Sequence, residues 1–224
     1  MLRTRSQPAG GPKQNRWPSD TLALTLVTVY RSPPMHARKV SSLLLFSGLL
    51  ASTALAQDAA LREQSDKLFA DIHRVLAHPR CMNCHPRGDS PRQGLDAHVH
   101  SPPVTRGPQD KGVAGMQCAT CHQTANYSAS GVPGAPNWHL APASMGWENL
   151  SQGELCRAML DKSRNGNKDV VAIVHHLTQD QLVGWAWAPG VDAAGKAREP
   201  VPIPRAEFAR IVNAWAKLGA RCPQ

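Results

Sequence analysis

The chain has 224 residues, with 25 Lys and Arg against 16 Asp and Glu and a formal net charge of +9. Residues 1–56 hold seven of the basic and one of the acidic residues, so residues 57–224 carry 18 basic and 15 acidic residues, a net charge of +3. The basic balance of the whole chain is therefore no argument for binding nucleic acid. Residues 57–224 are enough for one domain or two small lobes.

Residues 35–56 have the pattern of an export signal. A cationic start at Met35 is followed by a short apolar stretch and by Ala54-Leu55-Ala56, an AxA cleavage site. The apolar stretch is too short for a comfortable membrane span. We expect cleavage before Gln57, a periplasmic location and no membrane span in the mature chain. Residues 1–34 are then either the product of a mis-assigned start codon or a genuine extension without a fold.

The first element of the mature chain is predicted to be a helix over residues 58–77. Its apolar residues recur at a nearly helical period, and Pro79 closes the segment. These apolar residues are Leu61, Leu68, Ile72, Val75 and Leu76.

Two five-residue motifs of the form CxxCH come next, 37 residues apart. In such a motif the two thiols form thioethers to haem vinyl groups, and the adjacent imidazole is the proximal iron ligand. The two copies predict two covalently attached haem c groups. The predicted haem-binding residues are Cys81, Cys84 and His85 in the first motif and Cys118, Cys121 and His122 in the second.

Two other interpretations of the cysteine pairs stay open. Two CxxC pairs can hold zinc, and a single pair can act as a thioredoxin-like redox centre. Zinc does not require a histidine directly after both pairs, and neither pair follows a strand-then-helix pattern. Both interpretations are therefore weaker than haem attachment.

The segments after each motif are rich in Pro and Gly and are predicted to be loops that supply the second axial ligand of each iron. Between the motifs His98 and His100 are candidates, and we favour His100 because Pro102-Pro103 stiffens the backbone after it. After the second motif His139 and Met145 are rivals, since a methionine on such a loop is a common iron ligand. His175 and His176 are weaker candidates on an apolar helix.

Helical patterns return after residue 150. Ser151 to Glu154 and Thr178 to Gln181 each read as a capping box. An apolar helix is predicted to start near Asn167, and a last helix is predicted over residues 205–218. We therefore predict a mostly α fold with extensive irregular loops, in which short helices pack around two haems.

Cys156 and Cys222 are the only cysteines outside the motifs. In an oxidising compartment two remaining thiols usually pair, so a disulfide between them is predicted. The alternative is that Cys156 is a haem ligand.

Four segments together resemble a family of bacterial periplasmic dihaem cytochromes. They are spread over nearly all of residues 65–223 and read HPRCMNCHP at 78–86, GMQCATCHQ at 115–123, GAPNWHLAPASMGW at 134–147 and GWAWAPG at 184–190. Members of this family are described as cytochrome subunits associated with isoquinoline 1-oxidoreductase or aldehyde-oxidase type molybdenum hydroxylases. The resemblance implies a dehydrogenase partner of that type.

We therefore expect residues 57–224 to form one dihaem cytochrome c domain that transfers electrons from a partner dehydrogenase to a respiratory acceptor. The alternative is a dihaem redox enzyme, such as a peroxidase or a thiosulfate-type oxidoreductase, with one open or displaceable haem site. The spare His and Met residues favour filled iron sites, and no catalytic residue is predicted.

Overall fold

The computed structural model describes residues 40–224, with side chains described from residue 53 onward. Backbone contacts divide the chain into residues 1–45 and 46–224, and all the described side chains belong to the second unit. The predicted extension 1–34 lies outside the described residues, as does the start of the predicted leader 35–56. No helix in the described part of the chain is both long and apolar enough to cross a membrane.

The helix that leads into the first motif, α1, spans Val40–Leu76. The helix predicted over 58–77 is its second half, so the structure extends the element toward the N-terminus. Ser65, Phe69, Ile72 and Leu76 are buried, and their spacing of three and four residues places them on one face. This face packs on the C-terminal part of the chain, where the Phe69 and Trp215 rings lie 5.4 Å apart.

Each motif begins in a single helical turn, α2 (Pro79–Met82) for the first and α3 (Cys118–Cys121) for the second. The intervening segment was predicted to be a loop, and the structure adds two antiparallel hairpins of two-residue strands to it. β1 (Arg92–Gln93) pairs with β2 (His98–Val99), and β3 (Gly112–Val113) pairs with β4 (Met116–Gln117). Gly94 and Gly115 take φ angles of 77° and 82° at the two turns, which glycine adopts without steric cost.

The C-terminal half supplies four more helices. They are α4 (Gln152–Leu160), α5 (Val170–Gln179), α6 (Gln181–Gly184) and α7 (Arg205–Lys217), and a 3-10 turn, Trp185–Trp187, follows α6. The capping box of α4 is confirmed: Ser151 Oγ accepts from the Glu154 N–H, and Glu154 accepts from the Ser151 N–H.

The second predicted capping box was wrong. Thr178 is buried inside α5, where its hydroxyl donates to the Val174 carbonyl at 2.8 Å. Asp180 caps α6 instead, and its carboxylate accepts from the N–H groups of Leu182 and Val183. Because Thr178 lies inside α5, it does not have the non-helical backbone of an N-cap residue.

One hydrophobic core joins α1, α4, α5 and α7. A disulfide between Cys156 in α4 and Cys222 near the C-terminus crosses it, with a Cα–Cα distance of 5.5 Å. The predicted disulfide is confirmed, and since the Cys156 sulfur is bonded, the alternative of a Cys156 haem ligand loses its support. Helices are the main regular structure of the described part of the chain, beside a few short strands, which agrees with the mostly α prediction.

Candidate functional site

The first motif is held by a returning segment, residues 141–147. The N–H of Ala141 donates to the Cys84 carbonyl and the N–H of Trp147 donates to the His85 carbonyl, both at 2.9 Å. Gly146 permits this approach because a Cβ there would lie 2.8 Å from the Arg87 Cα. The motif is therefore packed against a segment that lies about 60 residues further along the chain.

The His85 imidazole has a defined tautomer. Its Nδ1 lies 2.8 Å from the Met145 carbonyl oxygen, and because a carbonyl only accepts, Nδ1 carries the hydrogen. Nε2 is then left with a free lone pair. Burial lowers the pKa of His85 to about 3, so the ring is neutral at pH 7 and suited to bind a metal through Nε2.

The second motif repeats this arrangement with a nearer partner. His122 Nδ1 lies 2.7 Å from the carbonyl oxygen of Pro133, 11 residues further along the chain. Burial lowers the pKa of His122, against the effect of the Pro133 hydrogen bond. His122 is thus also neutral and presents an unprotonated Nε2.

A tryptophan stacks on each motif histidine. The His85 and Trp147 ring centroids are 3.5 Å apart with planes at 13°, and those of His122 and Trp138 are 4.5 Å apart at 9°. The Nδ1 hydrogen bond alone leaves the imidazole plane free to tilt, and stacking on the tryptophan fixes that plane. These contacts were not predicted from the sequence, although both tryptophans lie in the 134–147 segment that carries the family resemblance.

The four motif cysteines are free thiols in different surroundings. Burial raises the pKa of Cys81 to about 12 and that of Cys84 to about 11, whereas the Cys121 side chain is exposed. Cys118 lies close enough to Cys84 to contribute to the raised pKa of Cys84. The two motifs are therefore neighbours in space.

The described residues contain no group of three or more His, Cys, Asp or Glu side chains placed to hold a metal ion. A structural zinc site needs four such ligands around one point. The two CxxC pairs therefore do not come together as the zinc interpretation requires.

The structure separates the two histidines of the intermotif segment. His100 lies beside the second motif, with its ring centroid 5.9 Å from that of His122. His98 is 49% exposed and its Nδ1 binds Asp96 Oδ1 at 2.7 Å. Of the two, only His100 has a described ring contact with a motif histidine.

The other candidates for axial ligands lie elsewhere. Met145 is 7% exposed in the hydrophobic core, and its carbonyl holds His85. His139 Nδ1 binds the Asn137 carbonyl, and His139 lines a cavity of about 760 Å³ with His175. His176 Nδ1 lies 3.2 Å from Asp180 Oδ2. The roles of His139 and Met145 as iron ligands stay predictions.

A buried arginine, Arg106, ties the intermotif segment to the first motif. Its guanidinium is paired with Asp110 at 2.8 Å and donates to the carbonyls of Pro86, Gly88 and Ala141. The charge of Arg106 contributes to the lowered pKa of His85. Arg106 was not predicted from the sequence, since one arginine in a polar segment has no distinguishing pattern.

The residues present fit covalently attached haem. Both imidazoles have Nδ1 bound and Nε2 unprotonated, each follows a pair of free thiols, and a cavity of about 500 Å³ adjoins the second motif. Ala119, His122 and Trp138 line this cavity, whose volume is in the range of small-molecule and cofactor sites. Three buried polar atoms of described side chains that have no hydrogen-bond partner also lie near the first motif, namely Asn83 Oδ1, Arg106 Nε and Trp147 Nε1.

Comparison with known proteins adds no relative: no protein-family model, no curated protein and no solved structure matches this chain.

Proposed function

We propose that the protein is a periplasmic dihaem c-type cytochrome that carries electrons between a partner dehydrogenase and a respiratory acceptor. The observation that carries the proposal is shared by both CxxCH motifs. Each imidazole donates its Nδ1 hydrogen to a backbone carbonyl, at 2.8 Å for His85 and 2.7 Å for His122. A carbonyl bond of this kind fixes the tautomer and orientation that a metal-binding histidine needs.

Bound haem would supply the one-electron chemistry, and the chain would hold and tune it. Cys81 and Cys84 would attach the first haem, and Cys118 and Cys121 the second. His85 and His122 would be the proximal ligands, each kept in plane by its stacked tryptophan. The neutral state of both imidazoles at pH 7 supports this role, since a protonated ring has no lone pair to give.

The closeness of the two motifs supports transfer between two haems. Arg80, beside the first motif, lies over the Trp185 ring at 5.7 Å, and Trp185 meets Trp138 edge to face at 5.1 Å. Trp138 in turn stacks on His122. A continuous set of side-chain contacts therefore links the flank of one motif to the histidine of the other.

The dehydrogenase partner is proposed from the family resemblance alone. A molybdenum hydroxylase of the isoquinoline 1-oxidoreductase or aldehyde-oxidase type is the donor that the resemblance favours.

Haem stoichiometry tests the proposal. The full chain, produced in a bacterium that attaches haem c, should carry two haems per chain by mass spectrometry and by haemochrome absorbance. Replacing Cys81 and Cys84 with Ser should leave one haem, and replacing Cys118 and Cys121 should leave the other. The matched control, Cys156→Ser with Cys222→Ser, should keep two, because these sulfurs bond each other. A chain without haem would refute the proposal.

Ligand binding separates a carrier from an enzyme. A carrier should contain two low-spin haems that neither bind cyanide nor react with peroxide within the mixing time of the experiment. A high-spin haem that binds cyanide readily would favour the dihaem enzyme instead.

A further inference from the structure

We infer that His100 is the second axial ligand of the haem iron at the second motif, on the side opposite His122. The inference rests on the proposed function and deepens it, because it assigns an intermotif histidine to a particular iron.

The spacing of the two rings is the first argument. The centroids of His100 and His122 lie 5.9 Å apart with their planes at 68°. Two imidazoles bound to one metal from opposite sides, with metal–nitrogen bonds of about 2.0 to 2.1 Å, have centroids about 6 Å apart. The rings therefore have the separation of a shared metal.

The hydrogen bonds of the rings are the second argument. His100 Nδ1 lies 2.9 Å from the Pro102 carbonyl oxygen and His122 Nδ1 lies 2.7 Å from that of Pro133. Each Nδ1 is therefore a donor, which leaves Nε2 as the ring nitrogen of each residue that could bind a metal. Both Nε2 atoms could then bind one cation.

The backbone around His100 is the third argument. The His100 N–H donates to the Pro91 carbonyl at 3.1 Å, and the Ser101 N–H donates to Gln93 Oε1 at 3.0 Å. The hairpin is tied to the first motif at Asn83, whose Nδ2 donates to the Gly94 carbonyl and whose backbone carbonyl accepts from the Arg92 N–H. A histidine whose backbone is fixed by such hydrogen bonds binds a metal with little loss of conformational freedom.

These bonds also give the assignment a structural consequence. The hairpin that precedes His100 is hydrogen-bonded to the first motif, whereas the iron that His100 would bind belongs to the second motif. The position of His100 would thus depend on the backbone of the first motif, whether or not that motif carries a haem.

Replacement of His100 tests the inference on the oxidised, haem-loaded full chain. The His100→Ala variant should convert one of its two haems from low to high spin in optical and EPR spectra, and added imidazole should restore the low-spin state. In a chain that also carries Cys81→Ser and Cys84→Ser, the one remaining haem should become wholly high spin. When His100 is intact, that haem should give the strongly anisotropic low-spin EPR signal of nearly perpendicular imidazoles, since the two ring planes stand at 68°.

The matched control is His98→Ala, two residues away in the same hairpin, which should leave both spectra unchanged. If His100→Ala loses the second haem during maturation, His100→Met provides the second test, and one haem should then shift to a higher reduction potential with a thioether charge-transfer band. Two low-spin haems with unaltered EPR signals in His100→Ala would overturn the inference. A chain that attaches no haem would instead refute the proposed function.

Discussion

The two CxxCH motifs share one hydrogen-bond arrangement and differ in burial. The first lies against Trp147, which is 4% exposed, and the pKa of both its thiols is raised to about 11 or 12 by burial. In the second motif Cys121 is exposed, and the carbonyl that holds His122 comes from only 11 residues away. The carbonyl that holds His85 comes from 60 residues away.

This difference shows that the same five residues can form a local site or a site that requires the whole fold. The second motif and its carbonyl partner lie in one short segment of chain. The first motif is complete only when residues 141–147 have packed against it and joined the core through Met145 and Trp147. Substitutions that destabilise the core should therefore disrupt the first site more than the second.

Removal of the stacked tryptophans should give the largest contrast. Truncating a buried Trp to Ala typically costs about 3–5 kcal/mol, so Trp147→Ala should lower the free energy of unfolding by about that amount. Trp138 is only half-buried, and Trp138→Ala should cost about 1–2 kcal/mol. Urea unfolding followed by far-UV circular dichroism measures both variants. Equal losses would show that the two motifs depend on the core to the same degree.

Removal of charge near Arg106 should change the reduction potential of the first haem more than that of the second. A buried cation favours the ferrous iron, because ferrous iron carries one positive charge less than ferric iron. Arg106→Gln should therefore lower the reduction potential of the first haem by tens of millivolts. For a one-electron couple, about 59 mV corresponds to a tenfold change in the equilibrium constant. Asp110→Asn removes the partner carboxylate and should raise that potential. Potentiometric titration of chains with a single haem measures each effect.

The opposite signs provide the control, because a loss of packing would not raise the potential in one variant and lower it in the other. Shifts of the same sign in both variants, or equal shifts at both haems, would assign Arg106 a purely structural role.

The smallest effect of a substitution is expected at Glu148, which holds the loop after the first motif through Arg87 and Arg92. Its carboxylate accepts from the Arg87 N–H and pairs with Arg92, each at 3.0 Å. Burial raises the pKa of Glu148, but these two bonds outweigh it, so the pKa lies below its ordinary value of 4.5. A carboxyl group with a lowered pKa stabilises the fold above its unfolded pKa, and this stability is lost as the pH falls through the folded pKa.

Glu148→Gln should therefore reduce the free energy of unfolding by about 1 kcal/mol at pH 7. The difference from the unchanged chain should shrink as the pH falls below 4.5. Unfolding measured from pH 7 to pH 3 gives this profile. A difference that stays constant across that range would contradict an electrostatic origin.

Elements with a local signal were predictable from the sequence. The α4 cap follows from Ser151 and Glu154, and α7 follows from its apolar period. The cap of α6 was not predictable, because Thr178 and Asp180 both have capping side chains. Only the burial of Thr178 in α5 decides between them.

The candidate site divides in the same way. The motifs themselves designate the thiols, His85 and His122, since thioether attachment and proximal ligation depend on adjacent residues. The preference for His100 over His98 rested on the prolines that follow it, and the structure adds the 5.9 Å ring distance to His122. The stacking of Trp138 and Trp147 and the contacts of Arg106 had no sequence signal.

By itself, the sequence determined the pairing of the last two cysteines and most of the helices, and it predicts the haem chemistry of each five-residue motif. These depend on neighbouring residues or on there being only two thiols to pair. The tertiary structure decided which carbonyl holds each imidazole, which ring stacks on it, how deeply each motif is buried and which spare histidine stands beside His122. Those features join residues that are distant in the chain, and only the packing of the core brings them within contact distance.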